Sequence, residues 1–210
     1  MIKSLMNPTS SFLGFAGGAL FLAAAHQAQA QVALLDPVSW TSTFGGGFTL
    51  GYSFTVGPSD LTVTEMGYFD RFHGGFASSY DMGIWDSIGA LVASATVPSG
   101  TDAPLSGDYR YVGLGTPVVL QSGHIYTVGG RGTGADSQFE AGTATLNGAT
   151  LVNDALFDNS HPSLFQPLST GVGNFFEVNL MLAPIPEPAA YPAVVGLAVL
   201  GFGAWRRFRT

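Results

Sequence analysis

Three aspartates carry the first hint of chemistry. Asp70, Asp81 and Asp86 fall at the ends of strand-like runs or beside them. Clustered carboxylates with backbone carbonyls make the oxygen-rich site that Ca²⁺ prefers. A pair of carboxylates across a cleft is also what a glycosidase uses. Both uses need the acids to converge in space. Loop aspartate has a simpler role too, accepting backbone N–H groups in a turn. We expect turn chemistry first, calcium second and glycan hydrolysis third, with no resident cofactor unless Ca²⁺ fills that place.

Aromatic side chains are the second candidate set. Trp40, Phe44 and Trp85 could present apolar ring faces to sugar rings. Core packing is the competing role for each. If its strand is regular, Trp85 lies on the face opposite Tyr80, Met82 and Ile84.

Other chemistry finds no motif. The chain has no G-x-S-x-G and no H-E-x-x-H. It has no cysteine, so neither a thiol nucleophile nor a Cys-based zinc module is available. Gly129 to Gly134 (GGRGTG) lacks the dinucleotide spacing and reads as a turn. The expectation is a non-enzyme.

Composition and charge narrow the class further. Of 210 residues, 29 are Gly and 12 are Pro, and aromatics make up 12%. Few Lys and Glu with many aromatics favour strands and turns. Between Gln31 and Ala183 lie 13 of the 14 acids but only Arg71, Arg110 and Arg131, giving 3 − 13 = −10. Such a body is a poor partner for nucleic acid.

The other cations flank two apolar stretches. Lys3 precedes Phe12 to Ala25 (FLGFAGGALFLAAA), and Ala28 and Ala30 then form a small-x-small site. That order predicts a secretory signal helix over 1–30, cut after Ala30 by signal peptidase. At the other end, Pro186-Glu187-Pro188 precedes an apolar run over 189–205, then Arg206, Arg207 and Arg209. The run is near the lower length for a transmembrane helix, and the arginines should stay cytoplasmic. Two prolines around Glu187 keep that site extended, as a protease needs.

The body over 31–183 must hold whatever site exists. Phe48, Leu50, Tyr52, Phe54 and Val56 alternate with small or polar residues, the mark of a strand with one buried face. Further runs are Leu61 to Phe69, Tyr80 to Trp85, Ala90 to Val97, Tyr109 to Leu114, Pro117 to Gln121, His124 to Val128 and Phe176 to Leu182. Turn clusters separate them, as in an all-β antiparallel sandwich or barrel. We expect a jelly-roll-like β-sandwich. Gly132 to Asn174 reads as loops with one or two edge strands.

The segment 184–210 resembles the PEP-CTERM sorting signal of Gram-negative bacteria, through Pro186, Glu187, Pro188, the helix to Trp205 and the arginine-rich end. The resemblance implies recognition by an exosortase. It also implies export across the inner membrane, transient membrane contact through the C-terminal helix, and delivery to the cell surface or extracellular matrix with exopolysaccharide or biofilm. Leu50 to Arg131 also resembles a family of uncharacterised bacterial β-sandwich domains. The matching pieces are GYSFTV (51–56), GYFD (67–70), GIWD (83–86), LVASATVPSGT (91–101) and SGHIY (122–126). That likeness implies fold and extracellular setting. An extracellular carbohydrate-binding module and a secreted glycan-active enzyme are the alternatives.

Overall fold

The computed structural model describes residues 30–44, 46–132 and 138–184; within it, the side chains of 37–44 and 138–143 lie outside the described part. Every described element is a strand, and every ladder is antiparallel. The strands are β1 (Val32–Ala33), β2 (Leu35–Phe44), β3 (Thr49–Val56), β4 (Leu61–Phe69), β5 (Tyr80–Asp86), β6 (Leu91–Val97) and β7 (Leu105–Ser106). They continue with β8 (Tyr109–Leu120), β9 (Ile125–Arg131), β10 (Gln138–Leu146), β11 (Ala149–Asp158), β12 (Ser169–Thr170) and β13 (Val178–Leu182). The expected signal helix and transmembrane helix lie outside the described residues.

One sheet has the order β1-β13-β4-β8-β7, the other β12-β11-β3-β9-β5-β6, and β2 pairs with β10 separately. Tyr52, Phe54 and Val56 of β3 share one buried cluster with Tyr68 of β4, Val128 of β9, and Val178 and Leu180 of β13. Each large side chain buried this way contributes about 1.5–3 kcal/mol. The Tyr68 ring stacks on Tyr80 at 4.5 Å, and Tyr52 meets Phe176 edge-on at 5.3 Å. Two antiparallel sheets joined by such a core form a sandwich-like all-β fold.

The strands give the molecule two distinct ends. At the near end, Val32 lies opposite Leu182, Ala183 N donates to Thr62 O, and Asn147 N donates to Leu34 O. The first and last described strands therefore lie side by side. At the far end, Gly132 N donates to Phe48 O, Phe69 N to Glu177 O, and Phe76 bridges Gly100. Along the eight residues of β3 the two ends are roughly 25 Å apart.

Glycines set the relief of the outer face of the larger sheet. Gly51, Gly129 and Gly83 lie in one row across β3, β9 and β5. Pro167 packs over Gly129, and Gln166 Nε2 reaches Thr127 Oγ1 at 3.4 Å. The chain after β11 thus crosses this face and covers it.

Candidate functional site

The three aspartates are each engaged locally. Asp70 Oδ2 accepts from Arg110 Nε at 2.6 Å and from Gly75 N at 2.9 Å. Asp81 Oδ1 accepts from Thr96 Oγ1 at 2.7 Å on the adjacent β6. Asp86 Oδ1 accepts from Ile88 N and Ala90 N and so closes the β5–β6 turn. Asp81 and Asp86 stand near opposite ends of one strand, roughly 16 Å apart. That exceeds the spacing of a glycosidase pair, about 5–9.5 Å. Among the described residues no group of three or more His, Asp or Glu gathers where a metal ion could sit.

Of the aromatic candidates, Trp85 does lie on the face opposite Tyr80, Met82 and Ile84, which join the inter-sheet core. Yet it is only 5% exposed. Its ring lies against Gly83, where an added Cβ would sit 2.6 Å from a ring carbon. A ring bedded on its own sheet offers no open face to a sugar. Trp40 and Phe44 belong to β2, where they lie opposite Ala141 and Gln138, and their side chains lie outside the described part. Ala30 is exposed just before β1. Ala28, Pro186, Glu187, Pro188, Arg206, Arg207 and Arg209 lie outside the described residues.

An aromatic cleft does exist, built from other residues. Phe48, Leu50, Phe157, Asn159, Gly171 and Phe175 line a cleft of about 260 Å³ at the far end. Leu50 lies opposite Phe157 across the β3–β11 ladder. Gly171 N donates to Ala155 O and Phe175 N to Asp154 O, both at 2.6 Å, which folds the chain after β12 back onto β11. Gly171 is needed there because a Cβ would come within 3.0 Å of the Phe175 ring and 3.3 Å of Phe157. Leu50, Ala155 and Phe175 pack into a small second core that floors the cleft.

The lining decides what the cleft can hold. It offers three phenyl rings, one leucine and a single amide, Asn159. A sugar ring brings several hydroxyls, and each left unpaired on burial costs about 1–3 kcal/mol. One amide cannot serve them. The cleft therefore suits a compact apolar group, and its lining side chains are not ones that transfer protons near neutral pH. Beside it, His161 Nδ1 lies 3.0 Å from Asp158 Oδ2, and its ring stacks on Phe165 at 3.7 Å.

Sequence reasoning missed this set because its members come from three distant stretches of chain. One signal was present: Phe175 alternates with Phe176, which puts the two rings on opposite faces. No family model matches the chain, and no curated protein is detectably similar to it.

Proposed function

We propose that this chain is an exported, non-enzymatic surface or extracellular-matrix protein of a Gram-negative bacterium, sorted through a PEP-CTERM signal by an exosortase and acting with exopolysaccharide. On this reading the sheets form a jelly-roll-like sandwich between a cleaved signal helix and a C-terminal transmembrane helix. The observation that carries the proposal is where the ladders begin and end. β1 starts at Val32 and β13 stops at Leu182, side by side in one ladder. A cut after Ala30 and another near Pro186 would remove no described ladder residue. Both address segments would leave from the same end, so a membrane-held precursor presents the far end, with its cleft, away from the bilayer.

Deleting Pro186 to Thr210 tests the sorting role in a host that carries an exosortase. The truncated chain should fold, be exported, and lose surface retention. Surface retention equal to the intact chain would contradict the proposal.

A further inference from the structure

The near end joins exposed apolar side chains to short turns. Its connections are residues 57–60, 87–90, 121–124 and 147–148, none longer than four residues. Ile88, in the second of them, is 88% exposed. Asp86 Oδ1 accepts from Ile88 N and Ala90 N, and Gly89 N donates to Asp86 O, so this turn is pinned at three points. A side chain held out by a pinned turn loses little freedom on binding. Val32, Leu91, Val119 and Ile125 are exposed as well, each within one residue of the near end of its strand. The acids favour the opposite end. Asp70, Asp81, Asp102, Asp108, Asp158 and Glu177 all lie at the far end. The near end holds Asp36, Asp60 and Asp86, and Asp60 Oδ1 accepts from Ser122 N.

We infer that the near end of the membrane-held precursor rests on the bilayer surface, with Ile88 and Ile125 among the lipid headgroups. The inference rests on the transmembrane tail of the proposed function. What selects a bilayer as the occupant is the length of chain between the last strand and the apolar run. β13 stops at Leu182 and the run begins at Ala189, which leaves six residues, 183–188. Fully extended, they span at most about 20 Å. The run of 17 residues, 189–205, reaches about 26 Å as a helix, short of a hydrocarbon core of about 30 Å. That shortfall draws the linker into the headgroup region and the body down after it. A tether this short gives the near end a high effective concentration at the surface, so a few apolar side chains suffice to hold it there. The acid-rich end then points away from the anionic lipids that would repel it.

The chain has no cysteine, so single dyes can be placed at will. The test uses the full chain in nanodiscs of phosphatidylethanolamine and phosphatidylglycerol, with a spin-labelled lipid that quenches at headgroup level. Dyes go on Ser59→Cys in a near-end turn, Gly74→Cys at the far end and Trp205→Cys in the tail; Ser59 and Gly74 are both exposed. The lipid should quench the dyes at 59 and 205 but not the one at 74. Adding Ile88→Asp and Ile125→Asp should cut quenching at 59 roughly threefold, with an unchanged melting temperature and unchanged quenching at 205. Ile88→Asp alone should act in the same direction, so the inference stays testable if the pair misfolds. Quenching at 205 without quenching at 59, or quenching at 59 indifferent to the aspartates, overturns the inference and leaves the sorting proposal standing. An unquenched dye at 205 contradicts the transmembrane tail and overturns both.

Discussion

Arg110→Met is expected to destabilise the protein by about 3–5 kcal/mol, the usual consequence of stranding one partner of a buried ion pair. Arg110 and Asp70 are each about 5% exposed. The guanidinium donates to Asp70 Oδ2, to Thr101 O and Ala103 O through Nη1, and to His73 O through Nη2. Removing it leaves a buried carboxylate held only by Gly75 N among the described residues, and three carbonyls without that donor. The same change unties the Asp70–His73 turn from the segment around Thr101. Arg110→Lys should recover only part of the loss, since an ammonium cannot reproduce the planar fork. The double variant Asp70→Leu/Arg110→Met should be more stable than Arg110→Met alone, because no charge is then left stranded. Denaturant unfolding measures all three. A loss below 1 kcal/mol in Arg110→Met would show that the pair does not hold this end together.

Alkaline unfolding should be equally severe. Three phenols are held protonated well above their ordinary range. Burial is the main cause for Tyr52, followed by the neighbouring Tyr111. For Tyr109 burial comes first, then Tyr52, Tyr111, Glu177 and Asp108. For Tyr111 it is burial, then Glu65. A phenol whose pKa is raised in the folded state contributes its full stability below the unfolded pKa, about 10. That contribution is lost as pH rises from there, because the unfolded chain gives up its proton first. Each group costs about 1.4 kcal/mol per pH unit in this window, and three cost about 4 kcal/mol per unit. A fold of about 5–15 kcal/mol should therefore collapse within about one to four units above pH 10. Absorbance at 295 nm should show these tyrosines ionising together with the loss of circular dichroism. Tyr52→Phe should flatten the slope by about a third at little cost in stability, since the Tyr52 hydroxyl is buried with no hydrogen-bond partner among the described residues. Reversible ionisation of all the tyrosines near pH 10 with the fold intact would contradict this account.

Much of the strand pattern was legible. The Leu61–Phe69 run matches β4 end to end, because its branched and aromatic residues lie between Gly-Pro-Ser-Asp and a loop. The runs Tyr109 to Leu114 and Pro117 to Gln121 are in fact joined in one strand, β8, which stops at Leu120. Its residues 114–117 face the single Thr64, and this bulge accommodates Pro117 and hides the continuity. β2 went unread because Pro37 and a run of serine and threonine break the alternation, and its ladder with β10 slips register three times. β11 was expected as a loop or edge. It instead lies between β3 and the two-residue β12, with two register shifts around Asn153 that blur its period.

The candidate site was less legible, for a physical reason. Alternation tells which face a side chain takes, but not what lies over that face. It correctly put Trp85 on the face opposite Tyr80, Met82 and Ile84; it could not show that Gly83 gives the ring a bed. The turn role of Asp86 was readable from sequence alone. The buried pairing of Asp70 was not, because Arg110 lies 40 residues further along the chain. The cleft depends on Phe48, Phe157 and Phe175 meeting, and only the β3–β11 ladder and the return after β12 bring them together.

The intact mass of the mature protein from an exosortase-bearing host is the most direct test of the account. We predict a chain that begins at Gln31 and has lost the segment following the Pro186-Glu187-Pro188 region, so that the strands from Val32 to Leu182 all remain. A mature protein with the mass of the full Met1 to Thr210 chain would contradict both processing events and, with them, the proposed role.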